Sequence, residues 1–446
     1  MKSIRNAALG GFAGMSVLFA LAAAPSVQGT GFIVLRNLAV QYSGMLALSC
    51  MSAACLLALR PRGPEGWLGG LDRMYRLHRW LGIGALGFGL LHWAAAKAPG
   101  IAIALGWLAP RGPHAPRLLP ENFWPRLLAE MRHPAESLGE WVFYVLVVMI
   151  GLALLRWFPY HVFLRSHRLM AAAQLALTAH ALVLVEPSLW LSPFGGVLAL
   201  LMAGGCWAAL KALLGRIGAR RRVRATLAEV RAFPESRCLE VVLDMPPGGW
   251  AGHEAGQFAF VTFEPEEGAH PFTIASAWTG EMHQLRFMIK ELGDATRGLQ
   301  ARLRRGQTVL VEGPYGRFVF ADSRPHQIWI GAGVGITPFL ARLEQLAATP
   351  AIRNIDLFHA TGDADEAFLD RLRTLALAAG VRLHVRRAGQ EPRLTGADIR
   401  GLVPAWPEAS AWFCGPASFG AALRRDFSAM GMPVDERFHQ ELFALR

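Results

Sequence analysis

Residues 77–93 read Leu-His-Arg-Trp-Leu-Gly-Ile-Gly-Ala-Leu-Gly-Phe-Gly-Leu-Leu-His-Trp. Between Arg79 and His92 this segment carries no charged residue, so it is apolar enough to enter a lipid bilayer. The 14-residue spacing of His78 and His92 corresponds to about 20 Å along an α-helix. Ionisable groups inside membrane helices are costly and usually functional, so one histidine is expected towards each face of a membrane.

The whole N-terminal half of the chain shares this apolar character. Hydrophobic residues make up 53% of the 446 residues and charged residues 17%. Each apolar block is close to the ~20 residues that a helix needs to cross the hydrocarbon core, which predicts a six-helix transmembrane bundle over residues 1–215. The first block also has the pattern of a signal peptide, although we favour a retained helix. The blocks are 7–25, 32–59, 78–96, 141–158, 163–185 and 189–214.

Basic residues predict the orientation of this bundle. Arginines are concentrated in the 60–79 and 156–168 loops and after the last block. Because short cytoplasmic loops carry an excess of Lys and Arg, we expect an inner-membrane protein with both termini cytoplasmic. The long 97–140 loop is then outside, although it is basic too.

Charge and cysteine content exclude some classes of protein. The net charge is +12, and the densest basic run, residues 220–224, is typical of the cytoplasmic end of a membrane helix. We therefore expect no nucleic-acid partner. The five cysteines form no Cys-x-x-Cys pair, so neither an iron–sulfur cluster nor a zinc site is expected.

A second pair of histidines matches the first. The block at 163–185 contains His167 and His180, which are 13 residues apart. In the predicted topology both blocks run outwards, so His78 lies level with His167 and His92 with His180. Neutral imidazole is an axial ligand of haem iron, and the two levels predict two b-type haems, one in each leaflet. Each histidine alone is also compatible with a loop-edge or helix-packing role.

The 13-residue spacing fits one straight helix poorly. At 100° per residue it leaves His167 and His180 about 140° apart around the helix axis. Tilt, local rewinding or different approach angles have to absorb this difference.

Arg36 is a further charge inside a block, five residues into 32–59 on the predicted outer side. Free in lipid it would be expensive. Pairing with a haem propionate would offset this cost and would make Arg36 a cofactor-binding residue. Snorkelling to the outer headgroups is the alternative, and both interpretations stay open.

The C-terminal half changes character after a basic linker at 216–224. Alternating strands such as 240–243, 258–261 and 285–289, separated by Gly and Pro turns, predict an antiparallel flavin-binding β-barrel over 225–325. Alternating strands and helices then predict an α/β doubly wound nucleotide-binding domain over 326–446. Its first strand leads into Gly-Ala-Gly-Val-Gly-Ile-Thr-Pro at 331–338, a turn whose N–H groups can approach a pyrophosphate.

These motifs together resemble one known family. The two histidine pairs are followed in order by His-Pro-Phe-Thr-Ile-Ala-Ser at 270–276, by the turn at 331–338 and by Phe-Cys-Gly-Pro at 413–416. In this order they resemble the ferric reductase and NADPH oxidase family of transmembrane flavocytochromes, whose soluble part is of the ferredoxin–NADP reductase type. The resemblance implies FAD, two b-type haems and NADH or NADPH as cofactors. It implies that the metal ligands are His78, His92, His167 and His180.

The resemblance also implies roles at the flavin. Thr273 is expected near the flavin N5, Phe272 along the flavin, and His270 at the ribityl or phosphate region. Residues 293–296 are expected at the pyrophosphate, and 313–316 as the tight turn before the nucleotide domain. As alternatives, Phe272 is a core aromatic and Thr296 a helix cap.

At the nicotinamide, the resemblance implies Cys414 and Gly415 beside the ring and Phe443 as the aromatic that covers the flavin. As alternatives, Cys414 is an inert buried thiol and Phe443 a core aromatic. Thr273, Cys414 and Phe443 are the predicted catalytic residues. The predicted cofactor-binding residues of this half are His270, Pro271, Phe272, Thr273, Ile289, Lys290, Gly293, Thr296, Gly331, Gly333, Gly335, Ile336, Thr337, Pro338, Cys414, Gly415 and Pro416.

The implied activity is transfer of electrons from cytoplasmic NAD(P)H through FAD and two haems to external dioxygen or a ferric chelate. Members of the family that use NADPH often carry an arginine soon after the second strand of the nucleotide domain. Here residues 359–365 contain no arginine, and Asp363 would repel a 2′-phosphate, so NADH is favoured, although Arg386 and Arg387 offer an alternative. One rival is an electron-supply module for a membrane or periplasmic partner protein or for quinone. Another is a flavin reductase anchored by a structural bundle without haem.

Overall fold

The computed structural model describes residues 2–26, 29, 31–109, 120–155, 160–280, 283–293, 295–349, 354–362 and 365–441. The chain forms two compact units that divide between Ile217 and Gly218. The first is all helical, and the second contains two β-sheets with their helices. The sequence predicted this division into a helical half and a mixed half.

Among the described residues of the first unit, five helices are long and apolar enough to cross a membrane, and α7 is a shorter apolar helix of 16 residues. Helices α1 and α9 pack together through Phe19 and Phe194, whose ring centroids are 5.6 Å apart. The helices are α1 (Lys2–Ala23), α2 (Phe32–Ala58), α3 (Arg62–Leu68), α4 (Leu71–Ala104), α5 (Phe123–Leu154), α6 (Tyr160–His167), α7 (Leu169–Leu184), α8 (Pro187–Trp190) and α9 (Pro193–Leu213).

Two helices extend well beyond their apolar blocks, and this corrects the predicted loops. α4 begins at Leu71, so Arg73, Arg76 and Arg79 lie in the helix and not in a 60–79 loop. α5 begins at Phe123, so much of the expected 97–140 outer loop is helical. Hydropathy marks only the part of a helix that suits hydrocarbon, whereas backbone hydrogen bonding continues into the polar sequence at its ends.

The expected single helix at 163–185 is interrupted. α6 ends at His167, α7 begins at Leu169, and Arg168 forms a turn between them. The amide of Ala171 bonds the carbonyl of Arg168, an i to i−3 bond that is tighter than the α-helical pattern. The winding thus changes between His167 and His180. Local rewinding is one of the three ways in which their 13-residue spacing can be accommodated.

The second unit begins with a six-stranded antiparallel sheet in the order β4-β3-β6-β1-β2-β5. A bridge between Ile274 and Phe287 links the end of β4 to β5 at the opposite edge. The strands enclose an apolar core that includes Leu227, Val241 and Val261. They are β1 (Arg222–Phe233), β2 (Cys238–Asp244), β3 (Phe258–Thr262), β4 (His270–Thr273), β5 (Gln284–Lys290) and β6 (Thr308–Tyr315), with α10 (Leu299–Arg302) before β6.

Two local expectations are corrected here. β1 begins at Arg222 because residues 222–226 pair with β6, so the end of the expected 216–224 linker belongs to the sheet. Gly313 to Tyr315, expected in a tight turn, complete β6, and Tyr315 pairs with Phe258 of β3. Only Gly316 has the left-handed φ of +104° that a turn requires.

The chain continues into a five-stranded parallel sheet in the order β11-β10-β7-β8-β9, as expected for a doubly wound fold. α13 and the short edge strand β11 were not predicted. The elements are β7 (His326–Ala332), α11 (Thr337–Ala348), β8 (Asn354–Thr361), α12 (Glu366–Ala378), β9 (Arg382–Arg387), α13 (Gly396–Leu402), β10 (Ser410–Cys414), α14 (Ala417–Ala429), α15 (Val434–Arg437) and β11 (Phe438–Gln440).

Candidate redox sites

The four histidines predicted as metal ligands lie in two pairs, as the sequence predicted. In pair A, His78 and His167 have ring centroids 5.9 Å apart, with 61° between the ring planes. In pair B, His92 and His180 have centroids 6.2 Å apart at 81°. With metal–nitrogen bonds of about 2 Å, two imidazoles on opposite sides of one iron have centroids roughly 6 Å apart. Both pairs therefore fit a bis-histidine haem iron.

The second ring nitrogen supports the same chemistry in three of these histidines. Nδ1 lies 2.9 Å from the Ala54 carbonyl in His78, 2.9 Å from the Val40 carbonyl in His92, and 2.7 Å from the Ala135 carbonyl in His180. An Nδ1–H donated to a carbonyl fixes the tautomer and leaves Nε2 with its lone pair for a metal. Nδ1 of His167 is buried and has no hydrogen-bond partner within the described part of the chain.

Both rings of pair B lie against glycines that sequence reasoning missed. A Cβ built on Gly44 would lie 2.7 Å from Nδ1 of His92, and one on Gly139 would overlap the ring of His180. Each glycine follows, by four residues, the carbonyl that accepts from the imidazole, namely Val40 and Ala135. The absent side chain lets the imidazole reach a carbonyl of the neighbouring helix. The role of these two glycines cannot be read from the sequence, because it depends on which helices pack against each other.

Arg36 bonds helix backbone. Nε donates to the Ala95 carbonyl at 3.1 Å and Nη2 to the Ala96 carbonyl at 3.0 Å. Pro99 lies inside α4 and has no N–H, so the Ala95 carbonyl lacks its i+4 partner. The arginine thus links α2 to α4 a few residues after His92. This contact was not among the two interpretations that the sequence left open, and a propionate contact stays a prediction.

The expected flavin segment forms β4, at the edge of the antiparallel sheet. Thr273 pairs with Phe258 and is 9% exposed, and its hydroxyl has no hydrogen-bond partner among the described residues. Phe272 packs near Phe263, with centroids 6.1 Å apart. His270 Nε2 donates to the Glu267 carbonyl at 3.2 Å, and burial lowers the pKa of this imidazole more than that bond raises it. Pro271 occupies the strand between them.

Other predicted flavin contacts fit less well. Ile289 is 1% exposed and lies in the barrel core, so its side chain is not available to a ligand, while Lys290 ends β5 partly exposed. Strand alternation places every second side chain of β5 inside. Thr296 Oγ1 accepts from the amides of Leu292 and Gly293 at 3.0 and 3.3 Å. Thr296 therefore closes the turn at residues 292–296 and does not cap a helix, since the N-cap of α10 is Gly298 and has no side-chain cap bond. A pyrophosphate contact of Thr296 stays a prediction, and Asp294 lies outside the described residues.

The two expected nucleotide segments touch each other. A Cβ on Gly335 would overlap the Cys414 carbonyl, and one on Gly415 would lie 2.7 Å from the Ala332 Cβ. Gly333 has a left-handed φ of +57°. Pro338 opens α11, where no N–H is needed. The same two segments contain the other predicted nucleotide residues, namely Gly331, Ile336, Thr337 and Pro416. Ile336 and Thr337 are each 2% exposed.

Cys414 ends β10, 2% exposed, and Glu441 follows β11 at 7% exposure. Burial, with a smaller contribution from the Glu441 carboxylate, raises the pKa of the Cys414 thiol well above its usual range. Glu441 also approaches Gly316, where a Cβ would lie 3.1 Å from Oε1. Sequence reasoning missed this carboxylate, because only the parallel sheet brings it beside Cys414. Phe443 lies outside the described residues.

The region that follows β8 and β9 bears on the choice of nucleotide. Arg387 pairs with Glu366 at 2.6 Å, and Arg386 lies 3.8 Å from Glu391. Both arginines thus already have carboxylate partners, which disfavours them as a 2′-phosphate site. Asp363 lies outside the described residues.

Known protein families match both units. The model described as "Ferric reductase like transmembrane component" matches residues 43–178, and the model described as "FAD-binding domain" matches residues 222–319. These matches place the chain in the ferric reductase and NADPH oxidase type of membrane flavoproteins. The chain carries a membrane segment similar to the ferric reductase transmembrane component, followed by an FAD-binding domain.

Curated relatives match less than half of this chain. An NADPH oxidoreductase of Mycobacterium tuberculosis is 31% identical over 40% of this chain and 47% of its own length. A flavohemoprotein of Deinococcus radiodurans is 27% identical over 47% of this chain and 56% of its own. The chain spans about half the length of these relatives. The FAD/NAD-binding domain of a Vibrio cholerae nitric oxide dioxygenase is 22% identical, with 49% of this chain and 97% of that one covered, at a TM-score of 0.42.

Proposed function

We propose that the chain is a transmembrane oxidoreductase that passes electrons from cytoplasmic NAD(P)H, through FAD and two b-type haems, to external dioxygen or a ferric chelate. Pairs A and B carry this proposal, because each brings two imidazoles within about 6 Å of each other. Three of these histidines lie in the segment 43–178 that matches the ferric reductase component, and His180 lies two residues beyond it. FAD takes a hydride as two electrons, and haem iron takes one electron at a time.

The chain's own residues hold and orient these groups. His78 and His167 would bind one iron, and His92 and His180 the other. The carbonyls of Ala54, Val40 and Ala135 hold three of the rings in one tautomer. No acid or base is required of these residues, since one-electron reduction of dioxygen or ferric iron consumes no proton.

On the reductase side, residues position the nicotinamide against the flavin. The Thr273 hydroxyl is available to a flavin ring atom, and the Gly335–Cys414 contact forms the floor of a nucleotide site at the ends of parallel strands. Cys414 stays a neutral thiol at pH 7, because burial and Glu441 raise its pKa. We favour NADH, because Arg386 and Arg387 are paired with glutamates.

A visible spectrum of the purified protein tests the proposal. Two six-coordinate b-type haems per chain are expected, and absence of a Soret band would leave only an anchored flavin reductase. His92→Ala should halve the haem content and abolish electron transfer across proteoliposomes, while NADH still reduces the flavin. Transfer that survives this change contradicts the proposed route. Haem that NADH reduces without superoxide or ferrous iron as product favours an electron-supply module for a partner protein.

A further inference from the structure

A hydrogen-bonded chain of polar side chains lies beside pair B, and the redox sites do not use it. Trp93 Nε1 donates to Tyr144 Oη at 3.2 Å, and Tyr144 Oη donates to Glu140 Oε1 at 2.6 Å. Lys97 Nζ lies 2.6 Å from the same Glu140 oxygen. We call these four residues the α4–α5 polar chain. It joins a cation, a carboxylate and a phenol, which are groups able to hold and move protons.

The α4–α5 polar chain is tied to pair B on both helices. Trp93 directly follows His92 in α4, and Lys97 lies five residues after His92, about 7.5 Å further along the helix. Glu140 directly follows Gly139, whose position against the His180 ring leaves no room for a Cβ. An electron acceptor held at the α4–α5 polar chain would therefore lie next to pair B.

These side chains are open on the outer surface of the bundle. The exposed fraction is 44% for the Lys97 side chain and 34% for that of Glu140. Tyr144 is 38% exposed, and Trp141, with its ring centroid 6.1 Å from that of Tyr144, is 71% exposed. In a membrane helix such a surface faces lipid, where ionisable groups are costly and usually serve a function. Its two aromatic rings offer a flat apolar surface to a ring-shaped ligand.

The chemistry of the α4–α5 polar chain selects among acceptors. Dioxygen and ferric chelates each take one electron without a proton, so neither needs these groups. A quinone takes two electrons and two protons, accepts hydrogen bonds at its two carbonyl oxygens and dissolves in lipid. We propose that the α4–α5 polar chain is a docking and protonation site for a membrane quinone. This inference rests on the part of the proposed function that delivers electrons to pair B, and it adds quinone as a further acceptor beside dioxygen and ferric chelates.

The reaction balances as NAD(P)H plus H⁺ plus quinone giving NAD(P)⁺ plus quinol. Two electrons from one NAD(P)H reduce the quinone in two single-electron steps. Each carbonyl oxygen gains one proton, relayed through Lys97 and Glu140 and replaced from water at the membrane surface. The C=O bonds become C–OH, and no further oxidant or reductant is needed.

A merely structural ion pair between α4 and α5 is the alternative, and matched variants separate the two. Glu140→Gln removes the carboxylate charge from the α4–α5 polar chain. Glu136→Gln is the control, because Glu136 pairs with Arg132 at 3.1 Å one turn earlier in α5, with both side chains 51% exposed. Tyr144→Phe removes only a hydroxyl and serves if Glu140→Gln fails to fold.

The full-length protein in nanodiscs is assayed anaerobically with NADH and decylubiquinone, and in parallel with a ferric chelate. The wild type should form quinol, and Glu140→Gln should lower the ratio of quinone to ferric-chelate reduction at least tenfold, with Glu136→Gln within twofold of wild type. A photoreactive azidoquinone should label α4 or α5 in the oxidised protein without turnover. Absent labelling, or equal losses with both acceptors, overturns the quinone site. Labelling without any haem reduction by NADH would instead overturn the proposed function.

Discussion

His92 and His180 each depend on a glycine of a neighbouring helix, because the absence of a Cβ there leaves room for the ring of a proposed haem ligand. Each ring occupies the space that a Cβ on the neighbouring helix would fill, at Gly44 and Gly139. The Nδ1–H of each ring thereby reaches a carbonyl at 2.7 to 2.9 Å. The histidines were readable from the sequence, but these glycines were not, because their neighbours come from other helices.

In the variant Gly139→Ala, pair B should therefore no longer bind its proposed haem. The added methyl overlaps the imidazole, so His180 has to move and loses its bond to Ala135. We expect haem content to fall from two to about one per chain. Gly151→Ala is the control in the same helix, because a Cβ there meets nothing within 4 Å. Two haems retained in both variants would contradict this account.

Asp356 is a second residue whose environment only the fold creates. Its side chain is 2% exposed and accepts from Arg382 at 2.7 and 2.9 Å, from His384 at 3.0 Å and from His326 at 2.9 Å. Burial alone would raise the pKa of this carboxyl, but these donors together lower it far below its usual range. The charged form is therefore the one that stabilises the sheet.

Asp356→Asn should destabilise the reductase unit by about 1.5–3 kcal/mol at pH 7, the scale of hydrogen bonds to a charged group. The folded-state pKa lies below the unfolded value of about 3.9, so this stabilisation is present above about pH 4 and is lost as the pH falls further. Denaturant unfolding of the full-length protein, followed by tryptophan fluorescence at pH 7 and pH 3, measures it. Asp370→Asn, in an exposed pair with Arg373, is the control. An equal effect at both pH values would refute the linkage.

At the scale of elements, α2 and α4 are joined where a proline interrupts helix hydrogen bonding. Pro99 leaves the Ala95 carbonyl without a partner, and Arg36 supplies one. The cost of a charge in the membrane is thus offset by two backbone carbonyls. Neither residue predicts the other from sequence, because they are 63 residues apart.

A double-mutant cycle tests this link. Arg36→Met should destabilise the bundle by about 1–3 kcal/mol, because it leaves the partly buried Ala95 carbonyl unpaired. Pro99→Ala restores an N–H four residues after Ala95, so the double variant should recover part of the loss. The midpoint of thermal haem release in detergent is the measurement. If Pro99→Ala recovers nothing, Arg36 acts elsewhere, for example on a haem propionate.

The break between α6 and α7 belongs to the same scale. A straight helix would point His167 and His180 about 140° apart, whereas the turn at Arg168 changes the winding between them. The 13-residue spacing showed that one straight helix does not place both rings well, but it did not show where the helix is interrupted. The packing of α6 and α7 against α4 decides where the break lies, since His167 has to reach His78 and His180 has to reach His92.

At the scale of the whole molecule, the chain folds as two compact units that divide between Ile217 and Gly218. Thr273→Ala should therefore slow flavin reduction by NADH about tenfold, the effect of roughly 1.4 kcal/mol from one lost hydrogen bond. Haem content should stay at the wild-type value. Stopped-flow absorbance of the flavin and the Soret band measure the two. Loss of haem in this variant would mean that the units do not fold separately.

The sequence by itself determined the two halves, the membrane-length blocks, the four histidines with their pairing, and the glycine turn of the nucleotide domain. These follow from hydropathy and from the fixed rise and period of helices and strands, which act locally. Tertiary structure alone decided the glycines behind pair B, the Arg36 contact, the place of Glu441 beside Cys414, and the α4–α5 polar chain. Each of these joins residues from separate elements, and only packing sets the distances between elements.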